Sequence, residues 1–470
     1  YSSEYQRHQS LHIFSPFSTI TVHVSGTFIS IIAKTFDTSC SRDAISWLPD
    51  EVLGNILSLL PTKQAASTSL LSKKWRYVYR LVDNLEFDDS QQEGRYNFPE
   101  SFENFVDRTL ALQCDLPIKK FSLKCHVGEE DKERLKACLG RWISNVAGRG
   151  VLEAELRISR RGLGFLPPQL LSCKTLVKLT IGRQLYLDKL PSYVWLPSLK
   201  FLFLDTASFR YQYLCGVLLA GCPVLEELSV HHKNSVVTPN SISSPTIKRL
   251  SVNFDCRRET DCHRTMSFDL PRLVYLEYSD FALSLYRQVN LDSLVEVKLD
   301  LHLINFYNGW RPDITDLIAG LRNVEILHVS PVSADAIYTY CIRGLPLFDN
   351  LVTLSFGSKN ERGWKLLPYL LKQSPKLETL VVQDLDGYTG GDVSMPRNKV
   401  KSLHILGYRG TDEELKQLKI FLGEFEYLEV VQVDVAEASE DDDGIIMQTK
   451  SDLMMLLGVS LPCKCNFKVT

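Results

Sequence analysis

The sequence has no uninterrupted apolar run of the roughly 20 residues that a membrane-spanning helix needs. Its most apolar early stretch, Ile20 to Ala33, is broken by His23, Ser25 and Gly26. A strong excess of charge is also lacking, because the formal net charge is only -3. Nucleic acid and anionic membrane are therefore not expected partners, since both call for a basic face.

Recognisable catalytic and phosphate-binding motifs are missing as well. The sequence contains no glycine-rich phosphate loop, no Gly-x-Ser-x-Gly elbow, no His-Glu-x-x-His motif and no convincing pair of carboxylates. The adjacent His231 and His232 follow an expected strand, where loop histidines are common, and do not indicate acid-base chemistry. We expect no enzymatic activity in this chain and no cofactor.

Dense cysteine spacing is absent too. The 12 cysteines are scattered over 470 residues, unlike those of a small secreted disulfide scaffold. Cys463 and Cys465 are too close together for the usual zinc pairing. Cys256, Cys262 and His263 lack a second pair of ligands at a recognised spacing. We predict reduced intracellular thiols and no metal site.

Residues 1–42 differ in composition from the rest of the chain. They are rich in Ser and Thr and almost free of acidic residues between Gln6 and Phe36. A targeting segment can have this composition. We favour a poorly ordered or artefactual extension, with a transit peptide as the alternative.

What the sequence does contain begins with a compact helical segment at residues 43–82. Pro61 ends a first helix, Thr62 is the expected N-cap of a second helix that runs through Leu70, and Ser72 is that of a third. Apolar residues at helical spacing follow a proline and two acids at the start of the first helix. These apolar residues are Leu53, Ile56, Leu57 and Leu60.

This segment has more apolar residues than it can bury by itself. A unit of about 40 residues rarely supports its own core, and Leu48, Leu71 and Trp75 enlarge the apolar set. Such an exposed set usually marks a protein interface. The alternative is that these helices only cap the apolar end of the domain that follows.

The order of these residues resembles an F-box. The matching positions are Leu48-Pro49-Asp50, Ile56-Leu57, Leu60-Pro61, Thr68-Ser69, Leu71-Ser72 and Lys74-Trp75-Arg76. The resemblance implies that the segment binds the Skp-type adaptor of an SCF (Skp, cullin, F-box) ubiquitin ligase. The adaptor-binding residues that it implies are Leu48, Pro49, Ile56, Leu57, Leu60, Pro61, Leu71 and Trp75.

A repeated signature of the form apolar-x-x-Leu/Val-x-apolar returns along most of the chain. Successive copies from Leu176 onward begin 21 to 30 residues apart, which is a stretched leucine-rich-repeat period. Residues 118–123 form an expected earlier copy, and residues 156–158 an imperfect one. The later copies begin at Leu176, Leu199, Leu225, Ile247, Leu273, Leu294, Val324, Leu351, Leu377, Val400 and Leu428.

Each copy predicts a strand, because its apolar residues alternate. Segments 213–220, 313–321 and 364–372 carry helical or turn patterns and are expected to return the chain to the next strand. Since one repeat cannot bury its apolar face alone, neighbours should stack into a solenoid with a parallel sheet along one side. The Asn or Cys expected after each strand is missing, which predicts uneven repeats.

Residues 396–470 carry a second resemblance. Strand, turn, helix and strand patterns follow one another, with Thr411 and Glu414 as an expected capping box. Residues 407–415 match the Gly-x-x-Gly-Thr-x-x-Glu-Leu pattern of the FBD domain in plant F-box proteins. Together the segments resemble the plant F-box/LRR/FBD family over residues 43–470. We expect the FBD segment to close the apolar end of the solenoid.

The sequence therefore predicts an α/β chain: an extension (1–42), a small helical F-box (43–82), an irregular leucine-rich-repeat solenoid with a parallel sheet (83–395) and a closing FBD segment (396–470). The resemblance implies a non-catalytic substrate-recognition subunit in the nucleus and/or cytoplasm. Its partners would be the Skp adaptor, cullin through it, and an unidentified protein target. The alternatives are a leucine-rich scaffold that binds Skp without ligase activity, and a small-molecule-gated receptor.

Residues between the inward-facing strand residues are the candidates for target binding, since they leave the core and line the sheet in two rows. Aromatic residues and Arg are typical interface anchors. The candidate target-binding residues are Phe201, Phe203, Arg249, Tyr275 and Glu277. The alternative for the two phenylalanines is that a neighbouring loop covers them.

Overall fold

The structure, a computed structural model, divides into two compact units, Tyr1–Arg183 and Gln184–Thr470. In the first unit it describes residues 9–15, 18–25, 28–35, 48–89, 98–113, 116–128, 130–159 and 166–182. In the second unit it describes residues 186–187, 193–205, 208–209, 214–233, 239–255, 265–283, 285–303, 311–383, 385, 387–388, 395–436, 453 and 466–469.

Three strands near the start of the chain form an antiparallel sheet. They are β1 (Gln9–Ser15), β2 (Ser18–Ser25) and β3 (Phe28–Thr35). The poorly ordered or artefactual extension expected for residues 1–42 stays a prediction. The sequences of β2 and β3 are rich in Ile, Val and Thr, which favour strands and explain the sheet.

Three short helices follow, as predicted for the helical segment. Ser72 caps the third, since its hydroxyl accepts a hydrogen bond from the backbone N–H of Trp75 at 3.3 Å. The prediction that Thr62 caps the second is wrong: Thr62 is its first residue, and Pro61 stands at the cap. The helices are α1 (Asp50–Leu57), α2 (Thr62–Thr68) and α3 (Lys73–Tyr79).

Strands and helices alternate in the rest of the first unit. The strands pair in parallel in chain order, and the helices lie between them in sequence. The elements are β4 (Asn84–Asp88), α4 (Glu100–Gln113), β5 (Lys120–His126), α5 (Lys132–Gly148), β6 (Glu153–Ser159) and β7 (Lys178–Gly182). Strand β4 was not predicted, because only Leu85 and Phe87 mark its alternation.

The second unit is built on a long parallel sheet. Its strands are β9 (Phe201–Asp205), β11 (Glu227–Lys233), β13 (Arg249–Asp255), β15 (Tyr275–Phe281), β17 (Glu296–His302), β18 (Ile326–Val329), β19 (Thr353–Phe356), β20 (Thr379–Val382), β21 (Ser402–Tyr408), β22 (Val430–Val435) and β23 (Asn466–Val469). Neighbours in this order pair with one another.

Shorter strands and helices return the chain between the strands of this sheet. One small parallel sheet has the order β12-β14-β16, and another pairs β8 with β10; neither was predicted. The additional strands are β8 (Tyr186–Leu187), β10 (Ser208–Phe209), β12 (Ser241–Ser243), β14 (Thr265–Asp269) and β16 (Leu285–Asn290). The helices are a π-helix (Leu214–Leu219), α6 (Thr315–Gly320), α7 (Pro331–Cys341), α8 (Glu361–Trp364) and α9 (Leu367–Gln373).

The repeated signature forms the core, as predicted. Its apolar residues, from Ile118 to Val433, are all buried, with at most 5% of any of these residues exposed. Equivalent signature residues are also paired between neighbouring strands: Leu228 is paired with Leu202 on one side and with Leu250 on the other. The parallel solenoid sheet is therefore confirmed within each unit.

The FBD segment continues this sheet through β21, β22 and β23. The helix α10 (Asp412–Leu422) follows β21 and begins with the predicted capping box. In it, the backbone N–H of Glu414 donates to the Thr411 hydroxyl at 3.2 Å, and that of Thr411 donates to the Glu414 carboxylate at 3.3 Å. Gly407 and Gly410 have φ of 74° and 79°, a left-handed conformation that explains the Gly-x-x-Gly spacing.

A buried aromatic cluster joins the FBD helix to the repeat before it. The ring of Trp364 in α8 lies 5.0 Å from that of Tyr388 and 5.8 Å from that of Phe421 in α10. Tyr388 and Phe421 are 5.2 Å apart, and none of the three is exposed. The FBD segment and the last repeats thus share one core.

We expect Trp364→Ala to destabilise the second unit by about 3–5 kcal/mol, because it removes the centre of this cluster and leaves a cavity. Urea unfolding, monitored by backbone circular dichroism, measures the loss in the free energy of unfolding. The control is Tyr369→Ala, which truncates an aromatic side chain that is 48% exposed. Equal, small effects of the two changes would contradict the shared core.

Candidate functional site

The helical segment exposes a cluster of apolar side chains, which we call the F-box surface. It comprises Leu70, Leu71 and Tyr77, which are 86%, 70% and 52% exposed, and the half-buried Trp75. Leu70 was predicted to lie within the second helix. Because α2 ends at Thr68, Leu70 lies instead in the turn before α3, with its side chain in solvent.

The other predicted adaptor-binding residues divide between surface and core. Pro49 and Pro61 are exposed, and Leu48 and Leu60 are half-buried. Ile56 and Leu57 are only 4% and 3% exposed, so they pack inside the first unit and hold α1 in place. The part that each residue takes in adaptor binding stays a prediction.

Two hydroxyl groups fix the helical segment to the first strand of the sheet. The Thr62 hydroxyl accepts a hydrogen bond from the backbone N–H of Glu86 in β4 at 2.6 Å. The Ser58 hydroxyl accepts one from the backbone N–H of Asp83 at 3.1 Å and donates to the carbonyl of Gly54 at 2.9 Å. The buried side of the segment is thereby tied down while the F-box surface stays open.

Helix α4 supports the segment from a second direction. The hydroxyls of Tyr79 and Thr109 lie 3.2 Å apart, and burial raises the pKa of Tyr79 above its ordinary value. The Gln113 side-chain amide donates to the carbonyl of Val82 at 2.7 Å. Sequence reasoning missed these partners, because they lie far along the chain from the helices that they support.

On the sheet of the first unit, four charged side chains that alternate with the core residues are paired within the chain. Lys124 Nζ lies 2.7 Å from Glu86, and Arg157 Nε lies 2.5 Å from Glu155, which also accepts a hydrogen bond from Ser122 at 2.9 Å. Burial alone would raise the pKa of Glu155, but the hydrogen bonds from Arg157 and Ser122 lower it below its ordinary value. These charges have their partners already.

Strand register in the second unit brings the two predicted rows together. The first row contains Phe201, Glu227, Arg249, Tyr275, Glu296 and Ile326. The second row contains Phe203, Ser229, Ser251, Glu277, Lys298 and His328. In each row every residue is paired with the next, so the candidate target-binding residues occupy neighbouring strands of one sheet face.

The aromatic residues of the rows differ in their surroundings. Phe201 is 39% exposed, whereas Phe203 is half-buried and meets the ring of His231 edge-on at 4.9 Å. The Arg249 guanidinium lies 4.0 Å from the centre of the Tyr275 ring, a cation–π contact. The rows therefore present an apolar end at Phe201 and a centre where Arg249 stacks on Tyr275.

The described cysteines are free thiols, and most of them are buried. Burial raises the pKa of Cys222 to about 12, so its thiol is not a reactive nucleophile at neutral pH. Among the residues described in both units, no group of His, Cys, Asp and Glu is arranged to hold a metal ion. The predicted thiol positions at 256, 262, 463 and 465, with His263, lie outside the described residues.

A cavity of about 770 Å³ lies in the first unit where α2, β4 and α4 meet. Its lining mixes apolar side chains such as Phe102 and Phe105 with charged ones such as Lys63, Glu86 and Asp88. No residue of the two rows lines it. Within the part of the chain that is described, no helix combines the length and hydropathy needed to cross a membrane.

Two protein families match the chain. Residues 45–84 match the F-box domain, and residues 139–285 match the family described as FBD-associated F-box protein At5g56370, LRR repeats. The first match contains all three short helices and the F-box surface. The second covers the strands from β6 to β15 and the row residues Phe201, Arg249 and Tyr275.

Named relatives from Arabidopsis thaliana match the chain along nearly its whole length. F-box/LRR-repeat protein At3g60040 is 66% identical over 452 residues, which cover 93% of this chain and 100% of the relative. F-box/LRR-repeat protein At1g06630 is 60% identical over 407 residues, which cover 85% and 98%. F-box/LRR-repeat protein At2g42730 is 40% identical over 466 residues, which cover 91% and 98%.

We expect Thr62→Val to loosen the helical segment from β4 at a cost of about 1–3 kcal/mol, because it leaves the half-buried backbone N–H of Glu86 without its acceptor. Hydrogen exchange should then quicken throughout α1, α2 and α3. Thr62→Ser keeps the hydroxyl and serves as the matched control. Unchanged exchange in Thr62→Val would show that this bond does not anchor the segment.

Proposed function

Because the chain belongs to the family of F-box/LRR-repeat proteins, we propose that it is the substrate-recognition subunit of an SCF-type ubiquitin ligase. In this role the F-box surface binds a Skp-type adaptor, and cullin joins through the adaptor. The sheet rows of the second unit bind a protein target. We place this activity in the nucleus and/or cytoplasm.

The observation that carries the adaptor role is the F-box surface itself. Leu70 and Leu71 are mostly in solvent although the helices around them are anchored to β4 and α4. Fully burying a leucine side chain is worth about 1.5–3 kcal/mol, so two adjacent exposed leucines favour a protein partner. Trp75 and Tyr77 beside them add residue types that are common at interface centres.

The chain supplies no catalytic group in this proposal. A ubiquitin ligase subunit of this kind acts by holding its target beside the transferase, which raises the effective concentration of the target's lysines. The alternative of a scaffold that binds Skp without ligase activity differs in one respect, because it would not assemble with cullin. A small-molecule-gated receptor would require a ligand in the sheet face before the target could bind.

We expect Leu70→Ala combined with Leu71→Ala to weaken adaptor binding by about tenfold or more, since tenfold corresponds to only about 1.4 kcal/mol. Surface plasmon resonance with purified Skp adaptor measures it. The matched control combines Leu116→Ala with Leu152→Ala, two leucines that are 38% and 40% exposed in the same unit. Equal binding by both double variants would argue against the F-box surface.

A pull-down with purified Skp adaptor and cullin separates the ligase subunit from the scaffold. We expect both proteins to be retained by the chain and lost together when Leu48→Ala is combined with Pro49→Ala. Retention of the adaptor without cullin would favour the scaffold. Retention of neither would contradict the proposed function.

Phe203→Ala combined with Tyr275→Ala tests the target surface. The change removes two ring contacts of the sheet rows, Phe203 with His231 and Tyr275 with Arg249. We expect ubiquitination of cellular targets by the reconstituted ligase to fall while adaptor binding is unaltered. Unchanged ubiquitination of these targets would remove the rows from the proposal.

A further inference from the structure

Two cations converge on one ring in the sheet rows. Arg249 and Lys298 lie on the strands either side of β15, and their charged groups are 4.0 Å and 5.8 Å from the centre of the Tyr275 ring. The Tyr275 ring is half-buried, whereas both cations are exposed. A planar guanidinium held over an aromatic ring keeps its outward edge available for a carboxylate.

Among the described residues, these two cations have no acidic partner. Within the described part of the chain, no carboxylate forms an ion pair with Arg249 or Lys298, and Glu277 between them accepts its hydrogen bond from Ser251 at 3.0 Å. A cation nearby does have a partner. Lys248 lies 3.7 Å from a carboxylate oxygen of Glu226.

An apolar residue stands at a fixed distance from this site. Phe201 in β9 is in the same row as Arg249 in β13, with Glu227 of β11 between them. Adjacent strands are about 4.8 Å apart, so the two side chains stand roughly 10 Å apart along the row. A peptide in the extended polyproline II conformation rises about 3.1 Å per residue and has three residues per turn. Side chains three residues apart therefore face the same side and span about this distance.

We propose that this part of the sheet binds an extended segment of a protein that carries an apolar residue and one acidic residue, laid across the strands. An apolar side chain of the segment packs against Phe201, and a carboxylate three residues away binds Arg249 and Lys298. The carboxylate of Glu227 disfavours a further acidic residue at the positions between them. The inference rests on the proposed function only in taking the segment to be part of a ubiquitination target.

The test is selection of short randomised displayed peptides on the full-length chain. We expect peptides with Asp or Glu three residues from an apolar residue to be enriched severalfold. The variant Arg249→Glu with Lys298→Glu should lose this enrichment and favour Lys or Arg at the same position. The control is Lys372→Glu with Lys376→Glu, two exposed lysines outside the rows, which should select the same peptides as the wild type.

Three results would overturn the inference: no enriched peptides, enrichment without an acidic position, or acidic enrichment that survives in the Arg249→Glu, Lys298→Glu variant. A second arm offers the selected peptide with phosphoserine in place of the acidic residue. Preference for phosphoserine would also overturn it, since the proposed ligand is a carboxylate. The selection requires neither adaptor nor cullin, so its outcome is separate from that of the proposed function.

Discussion

A single repeat of this chain cannot bury its apolar residues by itself. Burial requires the neighbouring repeats, with their strands aligned in register. Leu250 shows the arrangement: it pairs with Leu228 on one side and Leu276 on the other, and none of the three is exposed by more than 1%. A shift of one residue would turn the apolar set of a strand outward. The register therefore holds the core together and sets which residues remain outside it.

Strand register aligns the residues outside the core in rows. The interactions of these residues differ between the two units. In the first unit, Glu86, Lys124 and Glu155 are satisfied by partners in the chain itself. In the second, Arg249 shares an aromatic ring with another cation and has no carboxylate partner among the described residues. The F-box surface belongs to helices that are anchored to β4, because the Thr62 hydroxyl accepts a hydrogen bond from the backbone N–H of Glu86.

The local sequence pattern predicts an element correctly where its buried residues recur at a short, regular spacing. The signature residues predicted the strands, and Thr411 with Glu414 predicted the start of α10. The pattern does not predict a contact whose partner is distant in sequence, or a strand of only a few residues. The acceptor role of Thr62 depends on Glu86, 24 residues away, and β12 is a three-residue, Ser-rich strand with one buried residue.

The exposure of Leu70 shows the same limit, because periodicity does not reveal that α2 ends at Thr68. In the proposed function, adaptor binding belongs to the helical segment and leaves the sheet rows open. Hydrogen exchange of the full chain, with and without purified Skp adaptor, distinguishes the two surfaces. We expect added protection confined to residues 48–80. Protection in strands β9 to β17, or no protection anywhere, would contradict it.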